Sequence, residues 1–130
     1  MTDSWVIRLG NYTTPPLTSN QRLHWRAEYA LKKSLRSAVT LAVKAQKIPP
    51  CDSVHVVLVY VPRDRRRRDS HNLVPTVKVA VDALVSCGVI PDDTPEYLSE
   101  SMPVIAEPDR QDPHLRLEIT RGKRPNDGLS

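Results

Sequence analysis

Phenylalanine is missing from this 130-residue chain. Any core must therefore rest on Val, Leu, Ile and Ala, with two Trp and four Tyr as the only aromatic bulk. Cysteine is almost as scarce. Cys51 and Cys87 are too few for a disulfide framework, and neither has a second cysteine at the spacing of a structural zinc site. Both read as free, packed thiols, which suits a reducing compartment. No apolar run reaches the roughly 20 residues of a membrane span. The opening MTDSWVIRLG lacks a basic segment followed by an apolar one. The expectation is a cytoplasmic protein with no membrane partner.

What is present is ordinary in bulk and unusual in placement. The hydrophobic fraction of 39% and charged fraction of 26% fit a globular protein. The length suggests one domain over residues 1–130, ordered from about 4 to 121, with a frayed C-terminal tail. The formal charge of +4 and pI of about 9.3 favour an anionic partner. Four consecutive arginines, Arg65, Arg66, Arg67 and Arg68, run directly into Asp69, and Asp92 and Asp93 follow one helix later.

The pattern along the chain alternates strand and helix. SWVIRL (4–9) reads as a strand with Trp5, Ile7 and Leu9 on one face, and residues 10–20 as a loop. A helix is predicted from about His24 to Lys47, with a stripe of Ala27, Leu31, Leu35, Ala38 and Ala42 widened by Val39 and Val43. Lys32, Lys33 and Arg36 lie off that stripe and give the helix a basic outer face. SVHVVLVYV (53–61) is apolar enough for a central strand buried on both faces. A second helix is predicted over 72–88, with Asn72 as N-cap, Pro75 in the first turn and Gly88 just past the end. Residues 89–101 read as a loop. Two last strands, 102–107 and 114–120, are expected to form a hairpin. The order is β-α-β-α-β-β. The fold class is α+β, a small mixed sheet packed by two helices, with no internal repeat.

Within the second helix, His71, Lys78 and Asp82 can share a face. Lys78 lies roughly 10 Å beyond His71, and helical side chains lean toward the N-terminus. The spacing therefore predicts a Lys78 ammonium reaching back toward Asp69 and His71, at a helix end that attracts anions. Asp92 and Asp93 sit in a loop able to fold beside the central strand. Such a set suits phosphodiester hydrolysis. A divalent cation offsets phosphoryl charge and acidifies an attacking water, magnesium takes one or two carboxylates plus water and substrate oxygens, and arginines grip the phosphate backbone. Each residue also has a plainer reading. The arginine run can be a solvated loop, the Asp-Asp pair a turn, His71 a cap, and Lys78 with Asp82 an i,i+4 pair.

The segment DSHNLVPTVKVAVDALVSCGVIPDDTPEYL resembles the RusA family of Holliday junction resolvases, above all its phage and prophage members. The matching positions are Asp69, Asn72, Lys78, Asp82, Gly88, Asp92 and Asp93. PRDRRRRD (62–69) is similar to the family's arginine-rich approach, and PPLTSNQRLHW (15–25) to its N-terminal element. The resemblance covers roughly residues 5–120. It implies a two-layer RusA-like fold and a homodimeric, Mg2+-dependent endonuclease, with Mn2+ a possible substitute, that cuts four-way DNA junctions. It implies Asp69, Asp93 and Lys78 as catalytic residues and a metal set of Asp69, His71, Asp92 and Asp93. Arg22, Lys32, Lys33, Arg36 and Arg65 to Arg68 would contact DNA. Two positions depart from the family. His71 stands where a second aspartate belongs, and the Asn72–Lys78 spacing is three residues longer than in the founding branch. The substitution at His71 leaves open a second expectation, a junction-binding protein that cleaves weakly or not at all. A third, a basic adaptor for another protein, has no motif behind it.

Overall fold

Eight almost wholly apolar residues, Val54–Val61, form the strand around which the molecule is organised. The computed structural model describes residues 3–10 and 12–122, and the tail expected to fray lies, after Gly122, outside them. In chain order the elements are β1 (Ser4–Arg8), α1 (Trp25–Ala45), β2 (Val54–Val61), a 3-10 turn (Ser70–Leu73), α2 (Val74–Ser86), β3 (Leu98–Glu100), β4 (Val104–Ile105) and β5 (His114–Arg121). The result is a mixed α+β fold with a five-stranded sheet and two helices.

The sheet runs β1-β5-β2-β3, with β4 also on β2. β5 lies antiparallel to β1 on one side and to the full length of β2 on the other. β3 and β4 follow one another along the opposite edge of β2, both parallel to it. A strand pairing with its neighbour in parallel needs a crossover, and α2 supplies it between β2 and β3. Trp5 and Ile7 of β1, Val54, Val56, Leu58 and Tyr60 of β2, and Leu115, Leu117 and Ile119 of β5 point to one face. Leu35, Val39 and Val43 of α1 and Val77, Ala80, Val81 and Leu84 of α2 pack onto that face.

Both helices end in the same way. After α2, Gly88 at φ +86° lets its N–H reach Val85 and the Val89 N–H reach Leu84, while Val89 is buried beneath. After α1, Lys47 takes that left-handed place at φ +55°, with Lys47 N–H on Lys44 and Ile48 N–H on Val43. These paired bonds satisfy carbonyls that a helix end leaves open.

Four sequence expectations need correction. Residues 102–107 and 114–120 do not form a hairpin. Val104 and Ile105 pair with Val59 and Tyr60 of β2, and β5 lies on that strand's other side. The chain between them follows β2 past its end, where the Asp109 N–H bonds the Pro62 carbonyl. Only β2 offers β5 a partner of its own length, whereas β4 has two residues bounded by Pro103. Residues 98–100, read as loop, form β3. Asn72 is not the cap of a helix starting there, because a 3-10 turn precedes α2 and Asp69 caps it. The α1 stripe also begins later than the periodicity implies. Ala27 is exposed, Leu31 packs half-buried against the core, and the fully buried positions are Leu35, Val39 and Val43.

Candidate metal and nucleic-acid site

The arginine run leaves the end of β2 as a loop folded about one of its own members. The Arg68 guanidinium donates to the Asp64 and Arg66 carbonyls and to Asp64 Oδ1, each at 2.8 Å, and lies over the Tyr60 ring at 5.5 Å. The Arg68 bond and the Arg66 N–H hold the Asp64 carboxyl below its usual range. Arg68 is thus committed to the loop. Arg65 reaches across to Glu107 at 2.8 Å, and Arg66 faces Asp64 at 3.6 Å. Both arginines are largely exposed, as is Arg67. Solvated pairs of this kind hold their partners weakly.

Asp69 follows at the start of the 3-10 turn. Its Oδ1 accepts the His71 N–H at 3.0 Å and lies 3.2 Å from His71 Nδ1. The backbone bond first, then the imidazole, keep Asp69 below the ordinary carboxylate range. Both side chains are open to solvent. The N-terminal loop buttresses this turn. Ser19 N–H bonds the Asn72 carbonyl, Ser19 Oγ reaches the His71 carbonyl at 3.4 Å, and the buried Thr76 hydroxyl donates to the Leu17 carbonyl at 2.7 Å. The 15–25 segment therefore braces the turn that carries Asp69.

Lys78 goes elsewhere. With Asp82 it lines a groove of about 320 Å³ between α1 and α2, together with Gln21, Glu28, Lys32 and Arg36. No hydrogen bond or ion pair joins Lys78 to Asp69, His71 or Asp82 among the described residues. The cations of α1 and Lys78 share one groove, a juxtaposition that helix periodicity within α2 could not reveal.

Asp92 and Asp93 occupy the loop after α2, with the Asp93 N–H on Asp92 Oδ1 at 2.8 Å. Beside them stands a residue that sequence reasoning missed. Glu100, at the end of β3, has its carboxyl pushed up by burial and by the Asp93 charge. The only signal was the alternation of Leu98, Ser99 and Glu100, too short to read as a strand. Among the described residues no three His, Cys, Asp or Glu side chains gather as a group able to hold a metal ion. The expected set of Asp69, His71, Asp92 and Asp93 therefore remains two pairs, in which Asp69 accepts the His71 N–H and Asp92 the Asp93 N–H. Either pair offers donors that magnesium accepts when water and phosphate oxygens complete its shell.

Elsewhere the thiols are free, Cys51 buried and Cys87 half-buried, and burial raises both pKa values. No helix among the described residues is long and apolar enough to cross a membrane. Neither a family model nor a curated protein matches the chain.

Proposed function

We propose that the protein is a metal-dependent, structure-selective endodeoxyribonuclease of RusA type that hydrolyses phosphodiesters at four-way DNA junctions and works as a homodimer. The observation that carries this reading is Asp69, a solvent-open carboxylate held below the ordinary carboxylate range by its own turn, with the exposed Arg65, Arg66 and Arg67 just upstream of the loop-bound Arg68. A carboxylate so placed accepts a hard cation while neighbouring guanidiniums hold phosphate. Asp69 with His71, and Asp93 with Asp92, would be the cation donors. Arg65, Arg66 and Arg67 would contact the DNA backbone, with Arg22, Lys32, Lys33 and Arg36 extending the basic surface. Lys78 would meet a phosphate in the groove between the helices. When bound, Mg2+ or Mn2+ would supply charge neutralisation at the phosphoryl oxygens and a more acidic attacking water. An isologous dimer presents two equivalent sites, which suits the approximate two-fold symmetry of a four-way junction.

A second reading has its own observation. His71 adds no negative charge, and its ring lies against the carboxylate that would hold the cation. That arrangement favours a junction-binding protein with weak cleavage or none. Labelled four-way junction and matched duplex, incubated with Mg2+, Mn2+ or chelator, separate the two. Cation-dependent cutting of the junction alone supports the nuclease. Asp69→Asn and Asp93→Asn should each abolish that cutting and leave binding intact, because phosphate contacts carry the affinity. A variant that cuts at the wild-type rate removes its residue from the site.

A further inference from the structure

The first turn and a half of α1 is exposed. Residues 21–30 are all exposed, and they include one of the two tryptophans in a chain that has no phenylalanine. Trp25 is 66% exposed and Tyr29, one turn on, 59%. Large aromatics left in water away from any packing are uncommon. Trp25 is also held in place. The imidazole of His24, which caps the helix by accepting the Arg26 N–H, stacks on its ring at 5.8 Å and 29°. The Arg26 guanidinium lies 5.1 Å from the ring centroid, and the ring remains 66% exposed.

Cations continue where the aromatics stop. Tyr29, Lys33, Arg36, Thr40 and Leu41 line a shallow depression along the helix. Arg36 also borders the groove that holds Lys32 and Lys78. Glu28 is the only acid in α1, and it is engaged by Lys32 at 3.8 Å. Lys33 and Arg36 make no ion pair with a described residue. From Trp25 to Arg36 the helix rises about 16 Å. Flat rings one turn apart, followed by unpaired cations, are what single-stranded nucleic acid requires, because bases stack on the rings while the backbone follows the charge.

We infer that the exposed face of α1, with Trp25 and Tyr29 as the stacking surfaces and Lys33 and Arg36 as phosphate contacts, binds single-stranded DNA through its unpaired bases. The inference rests on the nuclease reading for its biological setting, since an opened junction offers unpaired bases. Its test does not need cleavage. Trp5 is buried, so Trp25 dominates any change in tryptophan emission caused by a ligand. Oligothymidylate should quench that emission in the wild-type protein. Trp25→Ala and Tyr29→Ala should each weaken binding of a dye-labelled oligothymidylate about tenfold or more, as expected when one stacking surface is removed. Trp25→Phe should retain binding and lose the quenching. Duplex affinity and the thermal unfolding midpoint should change little in all three variants, because neither ring packs in the core. Wild-type affinity for oligothymidylate in both alanine variants overturns the inference, and so does an equal loss on duplex. A protein that binds oligothymidylate through Trp25 and cuts no junction would leave this inference standing and refute the nuclease reading. The reverse outcome would do the opposite.

Discussion

At the scale of single residues, three charged side chains are set by their surroundings in different ways. Asp69 is held below the ordinary carboxylate range because its own turn donates to it, Arg68 is drawn into the loop by Asp64, and the Glu100 carboxyl is raised by partial desolvation and by the charge of Asp93. Glu100 has a measurable consequence. Its folded pKa lies above the unfolded value of 4.5, from burial first and from Asp93 second. The folded protein then binds more protons than the unfolded chain in that window, so stability falls as pH rises through it. Glu100→Gln should raise the unfolding temperature at neutral pH, and the gain should vanish below the unfolded pKa. Equal midpoints at neutral pH would contradict this placement of Glu100. His71 governs cation choice under the proposed function. An imidazole suits Mn2+ better than Mg2+, so wild-type cleavage should be greater with Mn2+. His71→Asp should raise the Mg2+ rate about tenfold, equivalent to about 1.4 kcal/mol of transition-state stabilisation. An unchanged metal preference in His71→Ala would take His71 out of the coordination shell.

At the scale of elements, the helices were legible because their signals are local. Gly88 marked the end of α2, and the β-branched run of 54–61 marked β2. Lys47 did not advertise itself, since nothing in its side chain favours the left-handed backbone it adopts at φ +55°. Glycine carries no penalty there. Lys47→Gly should therefore stabilise the protein by about 1 kcal/mol, readable by chemical denaturation. The 62–69 loop makes a different prediction. Arg65 holds an exposed partner, Arg66 is itself exposed and only 3.6 Å from the half-buried Asp64, and Arg67 is exposed as well, so replacing all three with Ala should leave stability nearly unchanged. Under the proposed function the same change should weaken junction and duplex binding alike. It should also reduce the log–log salt slope by about 0.9 for each phosphate no longer neutralised. An unaltered slope would reduce the run to a solvated loop. Arg68 is different because it ties the loop together, and its replacement should act through loop order.

At the scale of the whole molecule, the proposed dimer gives a direct measurement. Sedimentation equilibrium should return twice the 14.7 kDa chain mass at working concentration, and a monomer at all concentrations would end the two-site account of junction cutting. The mixed α+β class, the two helices, the inward face of β1 and the burial of β2 on both faces were determined by the sequence alone. Hydrophobic periodicity and helix ends are encoded within a few residues and need no partner to be read. The placement of β4 and β5 on opposite sides of β2 was decided only by tertiary structure. So was the approach of Glu100 to Asp93, and so was the meeting of Lys78 with Lys32 and Arg36. Strand partners and side chains that meet across elements depend on contacts between distant parts of the chain. Those contacts are selected by which strand has the matching length and which surfaces bury together, and no local pattern records that choice.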